Sequence, residues 1–185
     1  MNFITWAVIA LAIILPVATY VANNKKKYKI RPILPKDNEK LAEIVRYNLK
    51  NHGLDIPGTV YFDKETDNLY EAYTTDEKKA YFVLADENDE AVGGIGFAEF
   101  TPIENCAELQ KLYLADSAKG KGYGYKLIAF IEDEMRKGGF SVSYLETHTN
   151  LVAAQHLYKK CGYEEIARPE SVMHGAMNTF LCKKL

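Results

Sequence analysis

The chain has 185 residues, a formal net charge of −2 and a hydrophobic fraction of 48%. This length suits one domain of about 100–200 residues with an additional segment. A near-neutral charge balance excludes nucleic acid as the expected partner. The three cysteines, Cys106, Cys161 and Cys182, are odd in number and have neither disulfide nor metal-ligand spacing. We therefore expect reduced thiols and no bound metal.

An apolar segment occupies residues 3–22, which carry no charged side chain. A helix of about 20 residues, at about 1.5 Å per residue, crosses a hydrocarbon core of about 30 Å. Lysines at positions 25–27 and 29 follow it, which predicts a single-pass membrane anchor, an outside N-terminus and a cytoplasmic domain. A cleaved signal peptide and a buried helix of a soluble domain are the alternatives. The predicted division is an anchor at residues 1–24 and a folded domain at residues 25–185.

The rest of the chain alternates between strand and helix patterns. Residues 28–33 predict a strand, and a helix follows that has Asp37 or Asn38 as its cap and Gly53 as its end. Further elements are a short helix near 66–73, a hairpin of residues 80–86 and 90–100, a strand at 106–114, a helix to 137, a strand at 142–149, a helix at 151–160 and closing strands at 162–167 and 177–184. This order predicts an α/β (α+β) fold with a mixed, mostly antiparallel sheet flanked by helices.

The strand at residues 106–114 is read as strictly alternating. Alternation places Glu108, Gln110, Leu112 and Leu114 on one face, and Leu109, Lys111 and Tyr113 on the other. In the preceding strand, Gly93, Gly94 and Gly96 predict a bulge or a close backbone approach.

A glycine-rich stretch, SAKGKGYGYKL at residues 117–127, joins this strand to the next helix. Glycine lets a phosphate approach the backbone and tolerates left-handed torsions. A helix N-terminus adds free N–H groups and the positive end of a dipole. The pattern therefore predicts a phosphate-binding loop, with a flexible surface turn as the alternative. It matches neither a P-loop nor a Rossmann turn.

The segment Lys119–Gly124 resembles the acyl-CoA pyrophosphate loop of the GNAT superfamily of N-acetyltransferases, with Lys119 where Gln or Arg is usual. Three flanking segments resemble the same family in consistent order: AELQKLYL before the loop, and YLETHTN and AAQHLYKKCGYEE after it. The resemblance covers residues 28–185 and is densest at 107–164. It implies an enzyme that moves an acetyl group from acetyl-CoA, a cosubstrate, to an amine.

The resemblance also implies roles for particular residues. The backbone of Leu112, Tyr113 and Leu114 would pair with the pantetheine arm. The pyrophosphate would be held by Lys119, Gly120, Lys121, Gly122, Tyr123 and Gly124, chiefly through the N–H groups of residues 121–124. Asn150 stands at a CoA-contacting position, and Tyr158 stands where a hydroxyl protonates the departing thiolate.

The reaction needs a neutral amine, so a base must remove a proton. Glu108 is the favoured base and Glu146 the second candidate, while backbone N–H near Leu114 would stabilise the oxyanion. The alternative to the base role is that Glu108 is a charged residue on the strand surface, and the alternative to the acid role is that Tyr158 is an aromatic core residue.

The predicted acceptor is a small-molecule primary amine or a peptide or protein lysine. The sequence leaves open a non-catalytic, membrane-tethered acyl-CoA sensor and a homodimer. Tyr61, Phe62, Tyr81 and Phe100 are interpreted either as acceptor-pocket residues or as core.

Overall fold

The computed structural model describes residues 28–170, 172 and 174–185. The segment at residues 3–22, predicted to be a membrane anchor, lies outside the described residues. Among the residues that are described, no helix combines the length and the apolar character needed to span a membrane.

Seven strands and four α-helices make up the described part of the chain. The strands are β1 (Lys29–Pro32), β2 (Lys79–Ala85), β3 (Ala91–Glu99), β4 (Cys106–Leu114), β5 (Val142–Thr147), β6 (Glu164–Ile166) and β7 (Thr179–Lys184). The helices are α1 (Asn38–Asn51), α2 (Leu69–Thr74), α3 (Tyr123–Lys137) and α4 (Val152–Lys160), with 3₁₀ turns at Pro35–Asp37 and Lys64–Asp67. The predicted order of elements is confirmed.

The strands form one sheet in the order β1-β2-β3-β4-β5-β7-β6. Every neighbouring pair is antiparallel except β4 and β5, which are parallel. This confirms the predicted mixed, mostly antiparallel sheet. The pairing of β4 with β5 stops after Cys106, Ala107 and Glu108, so the two strands separate over the second half of β4.

A β-bulge interrupts β4 at Lys111. Gly94 pairs with Tyr113 and Gly96 pairs with Gln110, so one residue of β3 opposes two of β4. Lys111 takes a left-handed φ of 49°, and its carbonyl accepts a hydrogen bond from the Tyr81 hydroxyl at 2.9 Å. A bulge is consistent with what the glycines of β3 predicted.

The bulge makes the predicted alternation of β4 wrong beyond Gln110. Leu112 and Leu114 pack with Leu109 against the core that contains α3 and α4. Tyr113 instead packs on the α1 side of the sheet, because the extra residue reverses the direction of every side chain after it.

Helix α1 begins differently from the prediction. Asp37 occupies the N-cap position, yet its side chain caps no helical N–H group. Its carboxylate instead accepts hydrogen bonds from the Leu34 N–H at 2.8 Å and from the Arg31 guanidinium at 2.7 and 2.9 Å. Gly53, with a φ of 66°, follows the end of the helix as predicted.

Helices cover both faces of the sheet and create two apolar layers. On one face, α3 and α4 bury side chains that include Leu127, Ile131, Met135 and Tyr158. On the other face, α1 and α2 bury Leu41, Leu69 and Tyr73 against Tyr81 and Val83 of β2. Replacing one of these large aliphatic residues by alanine typically costs about 2–5 kcal/mol. The first layer includes Leu109 of β4 and Leu145 of β5, so α3 and α4 pack against both of the strands that separate.

Candidate active site

A cavity of about 520 Å³ lies where β4 and β5 separate. The glycine-rich loop forms one end of its wall, and Glu108, Glu146 and His174 form another part. The middle is lined by Leu112, Tyr113 and Leu114 of β4 and by residues of α4. One continuous space thus joins the predicted phosphate loop to the predicted catalytic carboxylates.

The three glycines of the loop differ in backbone conformation and surroundings. Gly120 and Gly122 have φ angles of 70° and 78°, and a Cβ built on either would have no atom within 4 Å. Their requirement for glycine is therefore in the backbone, and the space beside it is open. A Cβ on Gly124, in the first turn of α3, would lie 2.8 Å from Leu157 Cδ2, so the end of the Leu157 side chain would have to shift.

The ammonium groups of the two loop lysines contact other groups of the same chain. Lys119 lines the cavity, and its Nζ lies 2.7 Å from Asp116 Oδ1. Lys121 is not among the cavity-lining residues. Its Nζ donates to the Ser117 carbonyl at 2.6 Å and lies 5.9 Å from the centre of the Tyr28 ring. Any contribution of Lys121 to phosphate binding is therefore assigned to its backbone N–H, as the resemblance implied.

The backbone of β4 beyond Glu108 has one side without a strand partner. Tyr113 and Leu114 pair with Gly94 and Gly93 of β3, while β5 pairs only with residues before Leu109. An extended ligand can add to such a free strand edge through main-chain hydrogen bonds. This geometry fits the pantetheine position that the resemblance implied.

Tyr158 of α4 is 6% exposed and lines the cavity. It also belongs to the core between the sheet and α4, so both interpretations of this residue agree with its position. Burial raises the pKa of its hydroxyl well above the ordinary range. Tyr158 therefore keeps its proton at neutral pH, as a proton donor must.

Asn150 is not brought to the cavity wall. Its side-chain Nδ2 donates to the His52 carbonyl at 2.9 Å, which ties the loop after β5 to the end of α1. His52 lines the cavity, so Asn150 contacts a lining residue without lining the cavity itself.

Glu108 is held in a chain of polar side chains on the α1 face of the sheet. Gln110 Nε2 donates to Glu108 Oε2 at 2.6 Å, and the Tyr73 hydroxyl donates to Gln110 Oε1 at 2.6 Å. Lys111 Nζ donates to the Tyr73 hydroxyl at 3.2 Å. Burial raises the pKa of Glu108 and lowers the pKa of Lys111. Glu108 is thus a partnered wall residue as well as a candidate base.

Glu146 lies on the same face, two residues beyond the Tyr144 that pairs with Glu108. Its side chain is 5% exposed, and its Oε1 accepts a hydrogen bond from the Tyr144 hydroxyl at 3.2 Å. Its Oε2 is buried without a hydrogen-bond partner among the described residues. Burial, and then the negative charge of Glu108, raise the pKa of Glu146 to about 7. A buried oxygen without a partner, on a cavity wall, is well placed to receive a proton from a ligand.

His174 was missed from the sequence because it lies in the loop before β7, far along the chain from the other wall residues. Its Nε2 donates to Asp63 Oδ2 at 2.9 Å, and its Nδ1 lies 4.0 Å from Glu146 Oε2. No spacing motif connects these three residues. Only the folded chain brings them together.

The four aromatic residues considered for an acceptor pocket do not line this cavity. Tyr81 and Phe100 are buried in the core, and Phe62 is 59% exposed. The pocket interpretation is therefore wrong for this cavity. The three cysteines are free thiols, and no metal-binding cluster is found among residues 28–170, 172 and 174–185.

A glycine-rich loop that opens a helix lies beside two parallel strands that separate within a mostly antiparallel sheet. This is the arrangement that the resemblance to the GNAT acetyltransferases implied. Comparison with known proteins agrees, since residues 41–163 match the acetyltransferase (GNAT) family. The chain belongs to this family and is an N-acetyltransferase of the GNAT type.

Relatives support this assignment at the level of sequence and of fold. The uncharacterized N-acetyltransferase YjgM of Escherichia coli is 35% identical over 139 residues, which cover 74% of this chain and 82% of YjgM. A GNAT-family acetyltransferase from Staphylococcus aureus superposes with a TM-score of 0.73 at 19% identity, over 85% of this chain and 99% of that one. The spermidine N-acetyltransferase of Vibrio cholerae, solved with CoA and spermine, gives a TM-score of 0.64 at 19% identity, over 85% and 95% of the two chains.

Proposed function

We propose that the protein transfers an acetyl group from acetyl-CoA to the primary amine of a small molecule by direct attack. The observation that carries the proposal is the single cavity that joins the open glycine loop to the unpartnered Oε2 of Glu146. A site that only bound acyl-CoA would not need buried carboxylates at the end of the cavity away from the glycine loop.

The cosubstrate fits the loop end of the cavity. The open space beside Gly120 and Gly122 leaves room for a pyrophosphate against the N–H groups at the start of α3. The free edge of β4 at residues 112–114 would pair with the pantetheine amides. The N–H of Leu114 is the proposed donor to the thioester oxygen as negative charge develops there.

Two proton transfers are assigned to residues of the wall. We assign the removal of a proton from the attacking amine to Glu146, because its Oε2 has a free acceptor site and its pKa of about 7 suits a base at neutral pH. Glu108, already bonded to Gln110, would add negative charge that attracts the ammonium form of the acceptor. Tyr158 would protonate the departing CoA thiolate. The transfer forms an amide N–C bond and breaks the thioester C–S bond.

The acceptor class follows from the charge of the wall. Glu108 and Glu146 face the same space, and the Asp63 carboxylate lies just behind His174. Such a wall favours cationic amines and disfavours amines that carry a nearby carboxylate. The spermidine acetyltransferase with a similar fold supports the amine class.

The proposal also includes a membrane anchor. The uncharged segment at residues 3–22 and the lysines after it support tethering of the protein, with the catalytic domain at residues 25–185 on the cytoplasmic side.

The test uses the full-length chain in detergent and follows CoA thiol release with saturating acetyl-CoA. Spermidine is expected to be acetylated, and glycine, a small amine with a carboxylate, is the matched control that is expected to react poorly. Tyr158→Phe is expected to lower kcat by about 10²-fold or more while acetyl-CoA still binds. Failure of every amine to release thiol from a folded, acetyl-CoA-binding protein would refute the enzyme mechanism proposed here.

A further inference from the structure

We propose that Glu146, His174 and Asp63 form a proton relay that carries the acceptor's proton from the cavity to solvent. The proposal rests on the proposed function, because it starts from Glu146 as the base. It assigns His174 and Asp63, residues with no place in the proposed acetyl transfer itself, to the clearance of that proton.

The direction of the hydrogen bond between His174 and Asp63 determines which ring nitrogen of His174 carries the proton. His174 Nε2 lies 2.9 Å from Asp63 Oδ2, and a carboxylate can only accept this hydrogen bond. In the neutral imidazole the proton is then on Nε2, and Nδ1 carries the lone pair. That lone pair belongs to the nitrogen that lies 4.0 Å from Glu146 Oε2.

The unpaired oxygen of Glu146 needs a partner once it is protonated. Glu146 Oε2 is buried and has no partner among the described residues, so once protonated it needs an acceptor. His174 Nδ1 becomes one if the two atoms approach by about 1 Å, to ordinary hydrogen-bond distance. The other groups around Glu146 are Glu108 on β4, Tyr144 on β5 and Arg168 in the loop after β6. The Arg168 guanidinium has no acceptor atom, and the Tyr144 hydroxyl already donates to the other oxygen, Oε1. Transfer to Glu108 would keep the proton inside the cavity.

The path of the proton to solvent runs through Asp63. The exposed fraction rises along the chain of groups, from 5% for Glu146 to 19% for His174 and 33% for Asp63. Asp63 is not among the cavity-lining residues, so it lies on the solvent side of the wall. Backbone contact of the same two loops, with the Ala176 N–H donating to the Gly58 carbonyl at 3.2 Å, holds His174 and Asp63 in register.

Each proton in the relay has a donor and an acceptor. The amine N–H proton passes to Glu146 Oε2, and the Oε2–H proton passes to His174 Nδ1, forming an imidazolium. Asp63 stabilises this cation through the bond at Nε2–H. The imidazolium then passes its Nε2 proton through Asp63 to water. After the product leaves, water takes the remaining Nδ1 proton and returns one to Nε2, which restores the resting tautomer beside the Glu146 carboxylate.

Kinetics of the full-length protein test the relay. His174→Gln is expected to lower kcat by about tenfold or more with the KM for acetyl-CoA unchanged. Imidazole in the buffer is expected to restore much of the activity of His174→Ala and none of that of Glu146→Gln. Asp63→Asn is expected to lower kcat, whereas Asp67→Asn, an exposed carboxylate at the far end of the 3₁₀ turn that follows Asp63, is the control that should not.

A second measurement does not depend on acetylation. In protein labelled with ¹⁵N-histidine, the His174 signals are assigned by their loss in His174→Gln. The neutral ring is expected as the Nε2–H tautomer, and the Nδ1 signal is expected to shift in Glu146→Gln. An Nδ1–H tautomer, or a normal kcat for His174→Gln in an enzyme that acetylates spermidine, would overturn the relay and leave the proposed function intact. Absence of acetylation by the wild-type protein would remove both.

Discussion

Replacing Glu146 by glutamine removes the proposed base while keeping the size of the side chain. With a pKa of about 7, the ionised fraction of Glu146 is about one tenth at pH 6 and about nine tenths at pH 8. In the wild-type enzyme kcat/KM for the amine is therefore expected to rise about tenfold between these pH values because of this group. Glu146→Gln is expected to lose that inflection and to lower kcat by about 10²–10⁴-fold.

The assay is the pH profile of thiol release with acetyl-CoA saturating and an amine that titrates well above pH 8. The amine's own deprotonation then contributes a slope that both proteins share, so the difference between the profiles isolates Glu146. Glu108→Gln is a matched test of the cause. It removes the negative charge that is the second reason for the raised pKa, so the inflection is expected to move to lower pH. An inflection near pH 7 that survives in Glu146→Gln would show that another group is the base.

The same variant has a second, thermodynamic readout. The folded state raises the pKa of Glu146 from the ordinary 4.5 to about 7, so between these values the folded protein binds more protons than the unfolded chain. Stability from this group is therefore present at low pH and is lost as the pH rises through about 7. Glu146→Gln is expected to be more stable than wild type at pH 8 and to lose this advantage near pH 4.5, as thermal unfolding would show.

Two further predictions concern the loop and the fold. Gly122→Ala is expected to lower the free energy of unfolding by about 1–3 kcal/mol, because Gly122 has a left-handed φ of 78°, and to weaken acetyl-CoA binding in calorimetry. Gly139 also has a left-handed φ, of 87°, but does not line the cavity. Gly139→Ala is therefore the control, expected to lose similar stability and to leave acetyl-CoA binding unchanged. Equal affinity in the two variants would contradict a binding role for the loop. Asp37→Asn is expected to cost about 3–5 kcal/mol in urea unfolding, because Asp37 is 2% exposed and paired with a largely buried guanidinium. The exposed Asp133→Asn is its control, expected to change stability by less than about 1 kcal/mol, and a similar effect of the two would contradict the buried-pair argument.

The sequence predicts the order of elements well because each element carries its own local signal. Apolar residues recur at helical spacing in α1 and α3, and glycine marks the loop between β4 and α3. The glycine spacing also locates the loop end of the cavity, since Gly120 and Gly122 do adopt the left-handed torsions that only glycine takes readily.

The parts that the sequence does not predict depend on contacts between distant segments. The bulge at Lys111 is stabilised by the hydroxyl of Tyr81, 30 positions earlier in the chain, so alternation alone misplaces Leu112 and Tyr113. The contact of Asn150 with His52 crosses 98 positions, and that of His174 with Asp63 crosses 111. No period or motif connects residues so far apart.

Features that cost the fold stability are concentrated on the two strands that separate. Lys111 has a left-handed backbone and a partly desolvated ammonium group, and Glu146 has a buried oxygen without a partner. If β4 and β5 served only as core strands, replacing Lys111 or Glu146 by an apolar residue would not destabilise the fold. Under the proposed function, both features belong to one cavity. The bulge directs the Leu112 and Leu114 side chains into the core, the separation of β5 leaves the adjacent backbone edge of β4 unpaired for the cosubstrate, and Glu146 Oε2 receives a proton only when the acceptor amine is bound.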